Sequence, residues 1–579
     1  MNNKIKFLPV FAFLCLTLQC QANGNKKTPV DYVNPYIGTI NPKTRGLTPI
    51  IKVPGGTVGL FPSFTPEMQD QYLADKIFGF PLGFGNLMIN TGTVKIGARE
   101  NASKFDHDLE TATPYYYQAL LEDPDINAEF TITDNTVLFR FTLPENKTSN
   151  LLLTMIGNTS VEIKDKNIIE GSSVSNNRNK RYFSAVLSKP FSTCGTWQNG
   201  SVSPESKLKA GDWIGLFVSY PAAGKETVEI KIGIYSNSID EARGFIASEV
   251  GSRSFDQVKM KSKELWNNEL SLLKVKGGTE KQLTIFYTAL YRTRSVRMGN
   301  VWDTYRCAYP LQSLIKPEET LKAIRGFVKT YEETGWLPSS GAMIGNHSTA
   351  VIVDAYMNGL RDFDIEKAYE GMKKNAMEAT MIPWKDAGHI TELEQCYFDK
   401  GFFPALSARE DAKVSDPSKW GNEPSFHIPY LYNYAGQPWL TQSRVRQIMD
   451  LWYDSTPFGL CGDDDGGAMT SWYVLTAMGI YPQCPGRPIY DIGSPIFEET
   501  IINVGEGKSF VIEAKNVSSQ NKYIQSAELN GTVFNKTWIS HADIIKGGKL
   551  VFQMGPRPNK NWGSSADATA PSMSAPEVN

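Results

Sequence analysis

Strict alternation of apolar and polar positions marks the chain between about residues 29 and 236. In 227 TVEIKIGI 234, Val228, Ile230, Ile232 and Ile234 alternate with Glu229 and Lys231, and 137 VLFRFTL 143 repeats the pattern. Successive side chains on a strand point to opposite faces, so each run predicts a half-buried antiparallel strand. Many such runs, separated by Gly, Pro and Asn turns, predict an N-terminal β-sandwich over 29–236.

Near residue 238 the period changes from two to three or four. Ser238 to Glu241, Ser254 to Gln257 and Thr279 to Gln282 read as three capping boxes, each opening a helical segment such as Leu283, Phe286, Tyr287 and Leu290. We read 237–278 as a helical linker and 279–562 as a helical domain ending in short β segments, 509 SFVIEA 514 and 549 KLVFQMG 555. The Ser/Ala/Pro-rich stretch 563–579 cannot build a core and reads as a disordered tail. No repeat has a clean period, which still allows a helical toroid with decayed repeats.

Composition fits several domains: 579 residues, 41% hydrophobic. A net charge of -2 leaves no basic field for nucleic acid or an anionic membrane, and points to a neutral substrate. Residues 1–20 read as an export signal, with Lys4 and Lys6 before 7 FLPVFAFLCLTL 18, too short for a transmembrane helix. Cys20 after Leu-Thr-Leu-Gln looks like a bacterial lipoprotein acceptor, which would place the protein in the periplasm or on the cell surface; ordinary secretion is the alternative. Cys194, Cys307, Cys396, Cys461 and Cys484 show neither disulfide nor zinc spacing.

Candidate chemistry centres on 461 CGDDDGGAMTSWYVLTAMGIYP 482. Three consecutive aspartates before a helix read either as a cap or as a functional carboxylate cluster. An EF-hand loop is excluded by spacing. The loop 420 WGNEPSFHIPYLYN 433 supplies oxygen ligands and rings of the kind found in sugar pockets.

At these stretches the chain resembles the calcium-dependent exo-α-mannosidases of glycoside hydrolase family 92. The resemblance extends to 34 NPYIGT 39, 302 WDTYR 306, 343 MIGNH 347, 491 DIGSP 495 and 523 YIQSAELNG 531. It implies a β-sandwich joined by a helical linker to an (α/α)6 barrel. It also implies inverting hydrolysis of terminal α-linked mannose on glycans of N-glycan or mannan type, with Ca²⁺ as cofactor. Carried over by position, Asp465 is the general base, assisted by Asp463. Asn422, Glu423, Asp463 and Asp465 are the calcium-site residues. Trp302, Asp303, Arg306, His347 and His427 are sugar-binding candidates, with a buried structural Asp303–Arg306 pair and satisfied core histidines as the alternatives. His389 reads as structural, and Asp354 as either a buried anchor or a pocket carboxylate.

Two departures stand against this. Only 407 SAREDAKVSDPSKW 420 occupies the place of a longer family section carrying the Glu-Gly-Asn stretch to which the general acid is assigned, and a family insertion is missing near 297–306. From 280 to 482 the periodicity supplies roughly eight or nine helices, short of the twelve a closed toroid needs. The expectation is therefore an incomplete barrel and impaired hydrolysis unless Asp354, Glu392 or Glu394 replaces the acid. The alternatives are a non-catalytic glycan-binding relative or a non-functional deletion product.

Overall fold

The structure, a computed structural model, describes residues 27–41, 46–65, 71–174, 180–221, 224–295, 301–339, 345–378 and 422–571. The alternating segments form two antiparallel sheets of nine and eight strands. In the first, Glu226–Tyr235 pairs with both Thr136–Leu143 and Lys180–Leu187, placing Phe139 opposite Ile230 and Val137 opposite Ile232. The apolar side chains of these runs are buried with those of Leu151, Leu153 and Val218 from the second sheet in one core, as the alternation requires. This is the expected β-sandwich.

Ser238, Ser254 and Thr279 each accept from the amide three residues on, and Gln257 and Gln282 close the reciprocal contact. The helix Phe255–Leu270 buries Trp266, whose Nε1 donates to the Lys52 carbonyl at 2.6 Å and fixes the helix to the sandwich. Part of the linker departs from the helical expectation. Leu273–Lys276 is a strand paired with Glu499–Gly505, in a six-stranded sheet where Lys508–Lys515 and Gly548–Gly555 run parallel. Four residues with Leu273 turned inward carry too little pattern to separate strand from helix; the partner strand decides.

The N-terminal boundary also moves. Residues 29–40 pair with no sheet strand and lie as a strap on the helix Glu280–Ser295, with Val30 in the core of the helical domain. The backbone N–H of Asn34 donates to Thr288 Oγ1, and Arg292 Nη2 donates to the carbonyls of Pro35 and Ile37 at 2.9 and 2.5 Å. Gly563 to Pro571 likewise corrects the tail reading: Ala568 and Ala570 are buried, and the Ala568 carbonyl accepts from the Thr537 amide. Small side chains there fit a core supplied by other segments.

Among the described residues nine α-helices lie between 280 and 478. The segment 379–421 lies outside the described residues, and with it the expected short connection, His389, Glu392 and Glu394. Residues 1–20, including Cys20, are outside too. No helix among the described residues is long and apolar enough to cross a membrane.

Candidate active site

The apolar helix Ala468–Met478 organises the site from beneath. It is buried along its whole length, so polar positioning falls to its N-terminal approach, 463–467. Asp464 is the residue that holds the helix start. Its Oδ1 accepts from the Thr470 amide at 3.0 Å and from Thr470 Oγ1 at 2.8 Å, while its carbonyl accepts from the Ala468 and Met469 amides. Asp465, Gly466 and Gly467 follow with φ of 46°, 66° and 87°. Three successive left-handed residues turn the chain sharply, and aspartate is among the few side chains that tolerate this region. A Cβ on Gly466 would meet Thr304 Cγ2 at 3.0 Å.

The second wall is the loop 422–430. Asn422 Oδ1 accepts from the Glu423 amide, Ser425 Oγ donates back to the Asn422 carbonyl, and Trp472 Nε1 donates to the Phe426 carbonyl. Tyr430 stacks on Tyr481 and its hydroxyl donates to Thr476. The loop that positions Glu423 is thereby tied to the same helix that positions Asp465.

A third carboxylate comes from the helix Val301–Thr304. Asp303, Glu423 and Asp465 each bring an oxygen within 4.8 Å of the others. Glu423 is fully buried, and neither of its carboxylate oxygens has a protein donor. Burial, then the neighbouring charges of Asp465 and Asp303, hold Glu423 far above the usual carboxylate range. Burial raises Asp465 as well, with Asp463 adding to it. With Glu423 raised this far, the carboxylate cluster keeps a proton at neutral pH. A hard cation is the other remedy for a buried carboxylate such as Glu423 clustered with two more, and the oxygen donor set suits one.

Beside the carboxylates lies an aromatic and basic wall. The Arg306 guanidinium stacks over the rings of Trp302 and Tyr305 at 4.9 and 4.4 Å, and Nη1 donates to the Trp302 carbonyl. His347 stacks on Tyr305 at 4.6 Å. Burial and the Arg306 charge push His347 down to about 4 and lower His427, so both rings are neutral at neutral pH.

The structure thus brings Asp303, Glu423 and Asp465 together, and gathers Trp302, His347 and His427 around Arg306. Asn422 is exposed with its Oδ1 engaged by the Glu423 amide, and Asp463 neighbours Asp465. Asp354 is a buried anchor: it accepts from the Gly486 amide at 2.9 Å and from Asn358 Nδ2 at 3.2 Å. Sequence reasoning placed Asp303 among sugar contacts, and the structure sets it in the acidic cluster. Arg292 carried no signal in the sequence, because its contacts join distant segments; the sequence offered a cap among 463–465 without saying that Asp464 supplies it.

The profile of the Glycosyl hydrolase family 92 N-terminal domain matches residues 32–234, and that of the Glycosyl hydrolase family 92 catalytic domain matches 241–299, 297–419 and 397–556. Successive catalytic-domain matches overlap at 297–299 and 397–419, near the two places where family segments are expected to be missing. An uncharacterized secreted glycosidase of Arthroderma benhamiae is 23% identical over 83% of this chain and 84% of its own length. A family GH92 inverting mannosidase from Bacteroides thetaiotaomicron superposes with a TM-score of 0.82, at 24% identity over 94% of this chain and 99% of that one. An α-mannosidase of the same family and organism, solved with mannoimidazole, gives 0.81 at 23% identity over 95% of this chain and 98% of that one.

Proposed function

Since the chain belongs to glycoside hydrolase family 92 and is a glycoside hydrolase by that membership, we propose that it removes terminal α-linked mannose from glycans with inversion, Asp465 acting as general base. The observation that carries this reading is the buried Glu423 carboxylate, clustered with Asp303 and Asp465 and set against an aromatic wall. Glu423, Asp303 and Asp465, with Asn422 and Asp463 at the edge, would hold Ca²⁺. Bound there, the cation would offer its charge to sugar hydroxyl oxygens and relieve repulsion among the carboxylates.

The side chains supply the rest. Asp465 takes a proton from water, assisted by Asp463, whose charge sits close enough to favour proton uptake. The Trp302 face covers the apolar side of a sugar ring, with Arg306 fixing that face from behind. Neutral His347 and His427 offer ring nitrogens to sugar hydroxyls. Export to the periplasm or cell surface, with Cys20 as a lipid-anchor site, completes the proposal; the secreted glycosidase of Arthroderma benhamiae supports the export half.

The overlap of two catalytic-domain matches at 397–419, beside the expected place of the general acid, favours a second reading, in which the pocket binds mannose without turnover for want of that acid. In an inverting enzyme the two carboxyls lie about 6.5–9.5 Å apart, and a binder needs only one of them. A proton NMR time course with α-1,2-mannobiose and calcium separates the two. Early β-mannose that Asp465→Asn abolishes supports hydrolysis. Folded protein that binds mannobiose and releases nothing supports the binder.

A further inference from the structure

Two buried residues near the cluster, Asp464 and Arg292, take no part in the chemistry proposed above. Asp464 turns away from Asp303 and Glu423 and is buried at the start of the helix Ala468–Met478. Arg292, buried on the helix Glu280–Ser295, stands next to Thr293, the residue of that helix that meets Thr470 and Ser471. We infer that Asp464 and Arg292 are positioning residues that hold Asp465 in its left-handed turn and tie that turn to the N-terminal strap. The inference rests on the reading of Asp465 as the base.

Asp465 has φ of 46°, and an L-residue stays in that region only when its surroundings impose it. The imposition comes from its neighbour. Through one carbonyl and one carboxylate oxygen, Asp464 accepts from the amides of Ala468, Met469 and Thr470, which fixes the chain on the far side of the turn. Thr470 and Ser471 then meet Thr293 through their hydroxyls, at 3.4 and 3.1 Å, on the same helix as Arg292.

Arg292 carries the link outward. Its Nη2 donates to the Pro35 and Ile37 carbonyls of the strap, where Gly38 packs on Leu460, just ahead of the aspartates. A guanidinium buried this deeply survives only where carbonyls or an opposite charge replace its water. The strap carbonyls of Pro35 and Ile37 supply that replacement here.

The test is a double-mutant cycle on the full chain with Asp464→Asn, Arg292→Met and the combination, together with the milder Thr470→Val, which keeps the backbone donor but removes the hydroxyl. Each single variant should lower kcat about 100-fold with KM little changed, the size expected for a ~1 Å misplacement of a reacting group. The pair should be no worse than the poorer single, because both act on the turn through the same Thr470–Thr293 contact. Calcium titration of the same proteins gives a readout without turnover, and affinity should fall in the same non-additive pattern. Thr470→Val should follow the same direction by a smaller factor, and settles the matter if the charge variants do not fold. Unchanged kcat and calcium affinity in folded variants, or fully additive losses, overturn the inference while leaving an active wild type. A wild type that neither releases mannose nor binds calcium overturns the proposed function, and this inference with it.

Discussion

Glu423 lies against Asp465 with neither of its carboxylate oxygens reached by a protein donor. In apo protein the repulsion is met by a retained proton, so binding a divalent cation must expel it. Calorimetric titration with calcium at neutral pH, run in two buffers of different ionisation enthalpy, should report release of about one proton, and affinity should rise with pH. Identical heats in both buffers would refute the retained proton. Glu423→Gln should abolish the release.

The turn at Gly466 depends on a missing side chain. With φ of 66° and Thr304 Cγ2 3.0 Å from the position of a Cβ, Gly466→Ala should cost about 1–2 kcal/mol from conformation alone. A fall in the denaturation midpoint without change of slope would record it. Because the strain sits beside Asp465, the same variant should lower kcat further than the stability loss explains.

Two buried groups give opposite pH slopes to stability. Burial drives His541 down to about 4, below its unfolded value near 6.5. Its contribution is therefore full above 6.5 and lost as pH falls through 4, amounting to at most about 3 kcal/mol. Burial raises Asp491 to about 8, so its contribution is full below about 4 and lost as pH rises through 8. Melting curves from pH 4 to 9 should show His541→Gln losing less stability on acidification than wild type, and Asp491→Asn losing less on alkalinisation. Parallel curves would refute the assignment.

Arg294 joins the linker to the helical domain. It is almost fully buried, donates to Glu269 at 2.6 Å and Gln312 at 3.2 Å, and pairs with Glu319. Arg294→Met should destabilise by about 3–5 kcal/mol, since it strands Glu269 in the interior with only Lys316 as partner. Chemical denaturation measures this directly, and a loss under 1 kcal/mol would show that the network reorganises.

Much of the fold was legible in the chain because its cause is local. Alternation along 137–143 and 227–234 specifies strands with one buried face, and Ser238, Ser254 and Thr279 announce helix starts through contacts three residues away. Residues 273–276 were misread because pairing with Glu499–Gly505 is a long-range fact that four residues cannot encode. The strap at 29–40 and the packed stretch Gly563–Pro571 were misread for the same reason: polar or small residues are recruited into cores by segments far away in sequence.

At the site, sequence by itself determined which carboxylates and rings were available, and that three aspartates precede a helix. It could not say which aspartate caps and which faces the cluster, since adjacent residues of one type share every local signal. Only the tertiary structure decided this. The buried Thr470 amide and hydroxyl draw Asp464 inward, and the left-handed turn at Asp465 then delivers its carboxylate to Glu423 and Asp303.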